Sequence, residues 1–598
     1  MEHIIFADVE GDGYLRDLTR LWTIQIAEGP EAPVEVYADQ PGFKPISEGL
    51  RILKEADKIV MHFGLGFDFW AIEKIYPGTI DWRQIIDTVV VSRLMNAQSK
   101  RHSLHDLGEA LGFHKGVFND FSKFSQEMVT YGKQDVVILQ QAWNGNQAKR
   151  VYSFQRFYQQ YKEACENEFG VQYIIAQQEI GGFRFDYEAA GELEGVLRQE
   201  LVDYERHLQE VFPPIVTPRY SSKQKDKITG KPKRLKDSVE VFNPGSRQQI
   251  AKRLIDKYGW KPAEFTDGKS PKVDEDILDD LPYPEAKIIA SYLKTSKKLG
   301  MLADGNNAWL KLARKDENGD YFIHGYVNTL GARTHRMSHS NPNLAQVDKD
   351  PRMRALFKPR RGHKQVGIDA EGLELRMLAH YLALYDGGRY IRSVHSGNKA
   401  DGTDVHTINQ NVAGLYYRDS AKTMIYAHNY GCFDKKLGTI VVADAKKAGE
   451  PIPKGSLTKI GAKLRKKLAD GTPGLEKLIN KCKHLHYTKK ALPGLDNRWI
   501  PSASEHSALN TLLQGNGSIV MKKALLIFEN WIVERDWKDK VFYLANVHDE
   551  FQLSVHPSIT QEVAELGKQS ITQAGIELGV RCPLVGDSKI GDNWAETH

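Results

Sequence analysis

Cysteine is scarce: four in 598 residues (Cys165, Cys432, Cys482 and Cys582), scattered with neither zinc-ligand nor disulfide-framework spacing. That excludes a disulfide-stapled secreted scaffold and fits a reducing compartment. No apolar run reaches the length needed to cross a bilayer, so a membrane-spanning role is not expected. The start, Met-Glu-His-Ile-Ile-Phe-Ala-Asp, lacks the basic-then-apolar order of a secretory signal, and a cytoplasmic location is expected. Internal repeats are also missing. The chain is too long for a single hydrophobic core, so several domains are predicted. Net charge is only +5, but Lys-rich stretches at 223–236 and 446–467 concentrate positive charge in a way that suits a polyanion, or a solvated linker.

Residues 1 to about 150 alternate strand-like segments (Ile4–Ala7, Leu21–Ala27, Lys58–Met61) with helical ones such as Asp87–Leu94, an α/β pattern. From 151 to about 208 the pattern is long, amphipathic and helical, and Pro213, Pro214 and Pro218 stop it. The basic stretch at 219–238 reads as a flexible excursion. Helical patterns follow to about 310, strands are predicted near 321–327 and 365–369, and a second helical block covers 404–482. The last block opens with a helix from Ser507 and continues as a hairpin with arms 541–547 and 551–555.

Carboxylates cluster twice. Asp8 and Glu10, two apart on a strand, project to one face. Asp68 ends Met61-His-Phe-Gly-Leu-Gly-Phe-Asp, and Tyr131-x-x-x-Asp135 places a phenol and a carboxylate on one helix face. Four acids converging from separate elements repel one another unless they hold divalent cations. Two such ions generate hydroxide and stabilise a leaving 3′ oxygen, with Tyr131 orienting the water. The second cluster pairs Asp369, which ends the apolar run Val-Gly-Ile-Asp, with Asp549 at the tip of the C-terminal hairpin. Asp369 and Asp549, with the Ala370 carbonyl, are expected to bracket two Mg²⁺ ions. Glu374, near the start of the next helix, would lie under the sugar of an incoming nucleotide and exclude a 2′-hydroxyl.

Between these acids, Arg418-x-x-x-Lys422-x-x-x-Tyr426-x-x-x-Tyr430-Gly431 forms a cationic and aromatic stripe at helical spacing. Arg418 and Lys422 suit a triphosphate, with Lys422 as proton donor to departing pyrophosphate. Tyr426 and Tyr430 suit the sugar and the base pair. Any of these motifs alone also fits a polar strand end, an exposed helix stripe or a turn aspartate.

In order along the chain, these strings resemble family A DNA polymerases, specifically the bacteriophage replicative branch. The N-terminal acids resemble a DEDD-type 3′–5′ proofreading exonuclease of the tyrosine subclass. The resemblance implies an RNase H-like exonuclease domain (1–150) ahead of a right hand. Its thumb would span 151–330 with a short basic insertion near 213–240, its palm 331–394 and 501–598, and its fingers 395–500. It further implies that Arg336, Gln514 and His548 contact the primer-template and that His406 contacts the triphosphate. Two Mg²⁺ ions are implied in each site, with primer-template DNA, dNTPs and a replisome helicase and primase as partners. The chain is expected to act as a monomer replicating phage DNA in the host cytoplasm. The basic segment is expected to contact DNA directly, without a thioredoxin-type processivity factor. Three departures stand out: Phe63 in place of the usual asparagine, His335 in place of glycine, and Glu371 in place of serine. A single-subunit RNA polymerase and a non-catalytic nucleic-acid-binding protein share parts of the pattern and stay open at this level.

Overall fold

The computed structural model describes residues 2–226, 228–266, 268–429 and 431–598. The chain divides into two compact units. One comprises Met1–Phe183, His324–Ala345 and Pro359–His598; the other comprises Arg184–Ile323 and Gln346–Lys358.

The first unit opens with a five-stranded mixed sheet of β1 (Ile4–Gly11), β2 (Leu21–Ala27), β3 (Glu35–Tyr37), β4 (Lys58–Met61) and β5 (Ile85–Asp87), in the order β3-β2-β1-β4-β5. The central strand β1 pairs antiparallel with β2 and parallel with β4. It runs four residues beyond the predicted Ala7, which carries Asp8 and Glu10 into the strand itself rather than past its end. Helix Gln126–Asn144 lies against this sheet. Gly132 makes the approach possible, because a Cβ there would stand 2.3 Å from Nε2 of the Gln25 side chain. Asp135, one turn on from Tyr131, is thereby lowered towards β1.

A second sheet in this unit, of four strands, runs Val541–Val547, Glu550–Val555, Lys364–Ala370, Gly586–Gly591. The predicted C-terminal hairpin and the Asp369 strand are therefore neighbours, paired antiparallel. Beside it, helix Ala508–Glu534 is buried along most of its length and forms part of the unit's apolar core. Helix Leu373–Asp386 follows the Asp369 strand through Gly372, whose φ of 59° is the left-handed turn that glycine tolerates.

The second unit packs helices Tyr187–Val211, Arg247–Tyr258 and Pro284–Leu299 around Leu208, Phe212, Phe242, Leu254, Trp260 and Ile289. Here the structure corrects the reading of 219–238 as a flexible excursion: Ile215–Lys225 and Pro232–Glu240 form a long antiparallel hairpin. Lysines on both arms diluted the alternation of Val, Thr, Tyr and Leu that marks a strand. The predicted helical run from 151 to 208 is likewise broken by a three-residue strand at Phe183–Phe185. Among the described residues, no helix is long and apolar enough to cross a membrane.

Candidate functional sites

The N-terminal sheet gathers the first acidic group. Ligand atoms of Asp8, Glu10 and Asp135 lie within 4.8 Å of one another. Asp68 joins them electrostatically but stands slightly apart, its Oδ1 accepting the Val9 N–H at 3.2 Å. Burial, then mutual repulsion, pushes the carboxyls of Asp8 and Glu10 upward. Asp68 and Asp135 also rise, chiefly through burial. Asp135 divides its two oxygens: Oδ2 binds Lys115 Nζ at 2.6 Å, and Oδ1 is buried without a partner. Lys115 also lies over the Tyr131 ring, 4.5 Å from its centroid. Although burial alone would lower it, Asp135 holds the lysine well above its usual range. A cleft of about 880 Å³ opens beside this group, lined by Phe63, Arg93, Lys100, Lys115, Tyr131 and Tyr326 among others.

The structure also brings Asp369, Asp549 and Glu550 together at the second sheet. Asp369 faces Glu550 in the strand register, and Asp549 shares a two-residue turn with His548, whose φ is 55°. Asp369 opens onto solvent, yet its carboxyl is pushed up to about 7 by desolvation, then by Glu550 and Asp549. Ala370 follows on the same strand and is buried. Glu374 is buried near the start of its helix, not exposed as an ordinary surface glutamate would be. Arg336 Nη2 bridges Glu374 (3.3 Å) and Asp549 (3.2 Å). Gln514, Arg336, His548 and Glu550 line one cavity of about 290 Å³.

Helix Arg418–Asn429 carries the cationic stripe. Lys422 is exposed, and Tyr426 is half-buried with its ring 6.3 Å from that of His406. Arg418 is held at 2.8 Å by Asp404, which also caps the His406 helix through the His406 N–H at 3.0 Å. Burial opposes ionisation of Asp404, but its bonds from Arg418, Thr407 and His406 hold its carboxyl below the usual range. Tyr430 lies outside the described residues.

Two elements escape motif reading. Lys115 belongs to no motif; an isolated lysine in a loop gives no signal in a single sequence. Beneath the second site, Lys522 is fully enclosed. Its Nζ binds Glu168 (2.8 Å) and the carbonyl oxygens of Thr329 (2.7 Å) and His335 (2.9 Å). Arg498 links the same Glu168 to Asp496. This buried ion group holds the 329–335 segment that presents Arg336. Its linear signal is nil, because Glu168 and Lys522 are 354 residues apart.

Comparisons with known proteins bear on the chain as a whole. The family model for DNA polymerase family A matches residues 217–596. Over the full length of both chains, the sequence is 29% identical to a DNA-directed DNA polymerase of Enterobacteria phage T3 and 30% identical to one of Escherichia phage T7. A solved structure of the POL domain of Pol1 from M. smegmatis, in complex with DNA primer-template and dNTP, superposes with a TM-score of 0.73 at 15% identity. That match covers 100% of this chain and 96% of the other, and at such identity it bears on the fold alone. With nearly two-thirds of its length matched by the family model and full-length similarity to two phage enzymes, this chain belongs to DNA polymerase family A.

Proposed function

We propose that the chain extends the 3′ end of a primer along a DNA template with deoxynucleotides, and that its N-terminal domain removes mispaired ends in the 3′–5′ direction. The observation that carries the polymerase reading is the placement of Asp369 beside Glu550 on the neighbouring strand and Asp549 in the turn just before it. Crowded acids with raised pKa values, and the unpartnered Oδ1 of Asp135, form donor sets suited to hard divalent cations. When bound, two Mg²⁺ ions would lower the pKa of an attacking hydroxyl and stabilise charge on the leaving oxygen.

In this reading Asp369, Asp549 and the Ala370 carbonyl hold the ions at the polymerase site, and Asp8, Glu10, Asp68 and Asp135 hold them at the exonuclease site. The primer 3′-hydroxyl gives up its proton to solvent, its oxygen bonds to the α-phosphorus as the α–β phosphoanhydride bond breaks, and Lys422 donates a proton to the departing pyrophosphate and is reprotonated from solvent. Arg418 and His406 contact the triphosphate. For Arg418 this means exchanging Asp404 for phosphate. Tyr426 and Tyr430 pack by sugar and base, and Glu374 excludes a 2′-hydroxyl. Arg336, Gln514 and His548 contact the primer-template minor groove, testing pair shape without reading sequence. Residues 1–150 act as exonuclease, 151–330 as thumb, 331–394 and 501–598 as palm, and 395–500 as fingers.

A labelled primer-template incubated with Mg²⁺, with and without dNTPs, tests both activities in one gel. Extension with dNTPs and shortening without them are expected. Asp8→Ala combined with Glu10→Ala should abolish shortening and leave extension intact; equal loss of both would refute separate sites. Extension is expected to proceed without thioredoxin, and a large gain in product length on adding it would overturn that expectation.

A further inference from the structure

The hairpin at 215–240 is chemically unlike the rest of the chain. It holds eight Lys/Arg against three Asp/Glu, a net of +5 that equals the net charge of all 598 residues. Its arms are almost entirely solvent-exposed. Among its described residues, Arg219, Lys223, Lys225, Lys231, Lys233 and Lys236 have no carboxylate partner, and Arg234 alone is paired, with Asp237. The hairpin is nonetheless built, not slack. Asp226 orders the distal turn by accepting the Ile228 and Thr229 N–H groups at 3.0 and 2.8 Å. At the root, Arg253 binds the carbonyl oxygens of Pro213 and Glu240. Ile228, at the tip, is 94% exposed.

We infer that this arm is a duplex-DNA-binding ribbon. Eleven residues of strand span roughly 35 Å at about 3.3 Å each, close to one turn of B-DNA at ~34–36 Å. A two-stranded ribbon fits a groove of the duplex, and unpaired lysines along both arms match the phosphates that flank it. One exposed isoleucine at the tip of a basic ribbon suits insertion against the bases, where water is displaced. The arm contributes little to the apolar core of its unit, whose members lie outside it. The inference rests on the polymerase reading only in naming that duplex as primer-template.

The test uses the full chain, with Lys223, Lys225, Lys233 and Lys236 all changed to Ala in one variant and Ile228→Ser in another. Binding to a duplex longer than one helical turn is measured across a salt series, alongside nucleotides added per binding event. Each phosphate contact contributes about 0.9 to the slope of log affinity against log salt. The quadruple variant should therefore flatten the slope by about 3–4 and shorten each extension run, while incorporation of one nucleotide at saturating primer-template stays unchanged. Ile228→Ser should weaken binding without changing the slope. An unchanged slope in the quadruple variant overturns the inference. So does a defect seen only when a cell extract is added, which would assign the arm to a protein partner. Unaltered affinity in Ile228→Ser would overturn the tip contact. If the unmodified chain binds duplex with the steep slope yet extends no primer, the polymerase reading fails and the arm's role stands.

Discussion

Ala370 donates its backbone N–H to the carbonyl oxygen of Asp549 at 3.1 Å. Main chain thus ties the strand bearing Asp369 to the turn bearing Asp549, so the backbone positions that carry the two carboxylates are held together independently of their side chains. Substituting either side chain leaves the tie in place. Asp369→Asn and Asp549→Asn are accordingly expected to keep the fold and primer-template affinity while incorporation falls by at least ~10²–10³-fold, the scale of losing one electrostatic stabiliser of a transition state. Single-turnover incorporation beside equilibrium DNA binding checks this. A parallel loss of binding would place both residues outside the chemistry.

The buried carboxylate of Glu374 faces the same Arg336 that reaches Asp549. If, as proposed, this acid lies beneath the incoming sugar, it discriminates by bulk and charge, and removing it should admit a 2′-hydroxyl. Glu374→Ala is expected to raise ribonucleotide relative to deoxyribonucleotide incorporation by ~10–100-fold, in keeping with discrimination by one misfitting polar group. Competition between rNTP and dNTP at a single template position measures the ratio, and a constant ratio would remove Glu374 from sugar selection.

Much of this site was legible because its chemistry is local. Asp369 and Asp549 end or interrupt short apolar strands, and Tyr131 and Asp135 are one helical turn apart; such relationships survive in one dimension. Two departures from the family pattern gain a physical meaning only in three dimensions. Phe63 and His335 adopt φ of 63° and 58°, left-handed values that the glycine or asparagine usual there would accept more readily. Phe63 is held by its N–H to Asp87 at 3.1 Å, and the His335 carbonyl oxygen by Lys522 and Ser518. Long-range partnerships stayed hidden. The Glu168–Lys522 pair needs the whole chain to fold before it exists, and the basic hairpin concealed its alternation behind repulsive charge.

Lys115 yields a prediction that the motifs did not. It occupies Oδ2 of Asp135, leaves Oδ1 without a hydrogen-bond partner in the group that includes Asp8 and Glu10, and rests on Tyr131. A group that orients a ligand in this way is worth ~10–100-fold in metal affinity or activity when lost. Lys115→Ala should slow degradation of a primer end by that factor and raise the Mg²⁺ needed for half-maximal rate, with extension unaffected. Lys115→Arg should recover much of the loss. Mn²⁺ binding followed by electron paramagnetic resonance, in an Asp369→Asn background, separates affinity from rate. An unaltered metal requirement in Lys115→Ala would rule the role out.

The raised carboxyls also fix a sign for pH dependence. Asp8, Glu10, Asp68, Asp135 and Asp369 hold protons more tightly folded than unfolded. Between the unfolded value near ~4 and the raised folded values, about 7 for Asp369, the native state binds more protons, so unfolding free energy falls as pH rises. Divalent cations offset the repulsion and release those protons on binding, so their benefit grows over the same window. In chelator, the thermal transition should therefore drop from pH 5 to pH 8. Added Mg²⁺ should raise it more at pH 8 than at pH 5. Asp8→Asn with Glu10→Gln should flatten the chelator profile and shrink the Mg²⁺ gain, because two of the repelling charges are gone. Differential scanning calorimetry at the two pH values decides the matter: an equal Mg²⁺ gain at both, or a double variant that tracks the unmodified chain, would mean that the N-terminal acids are not the cation-dependent element.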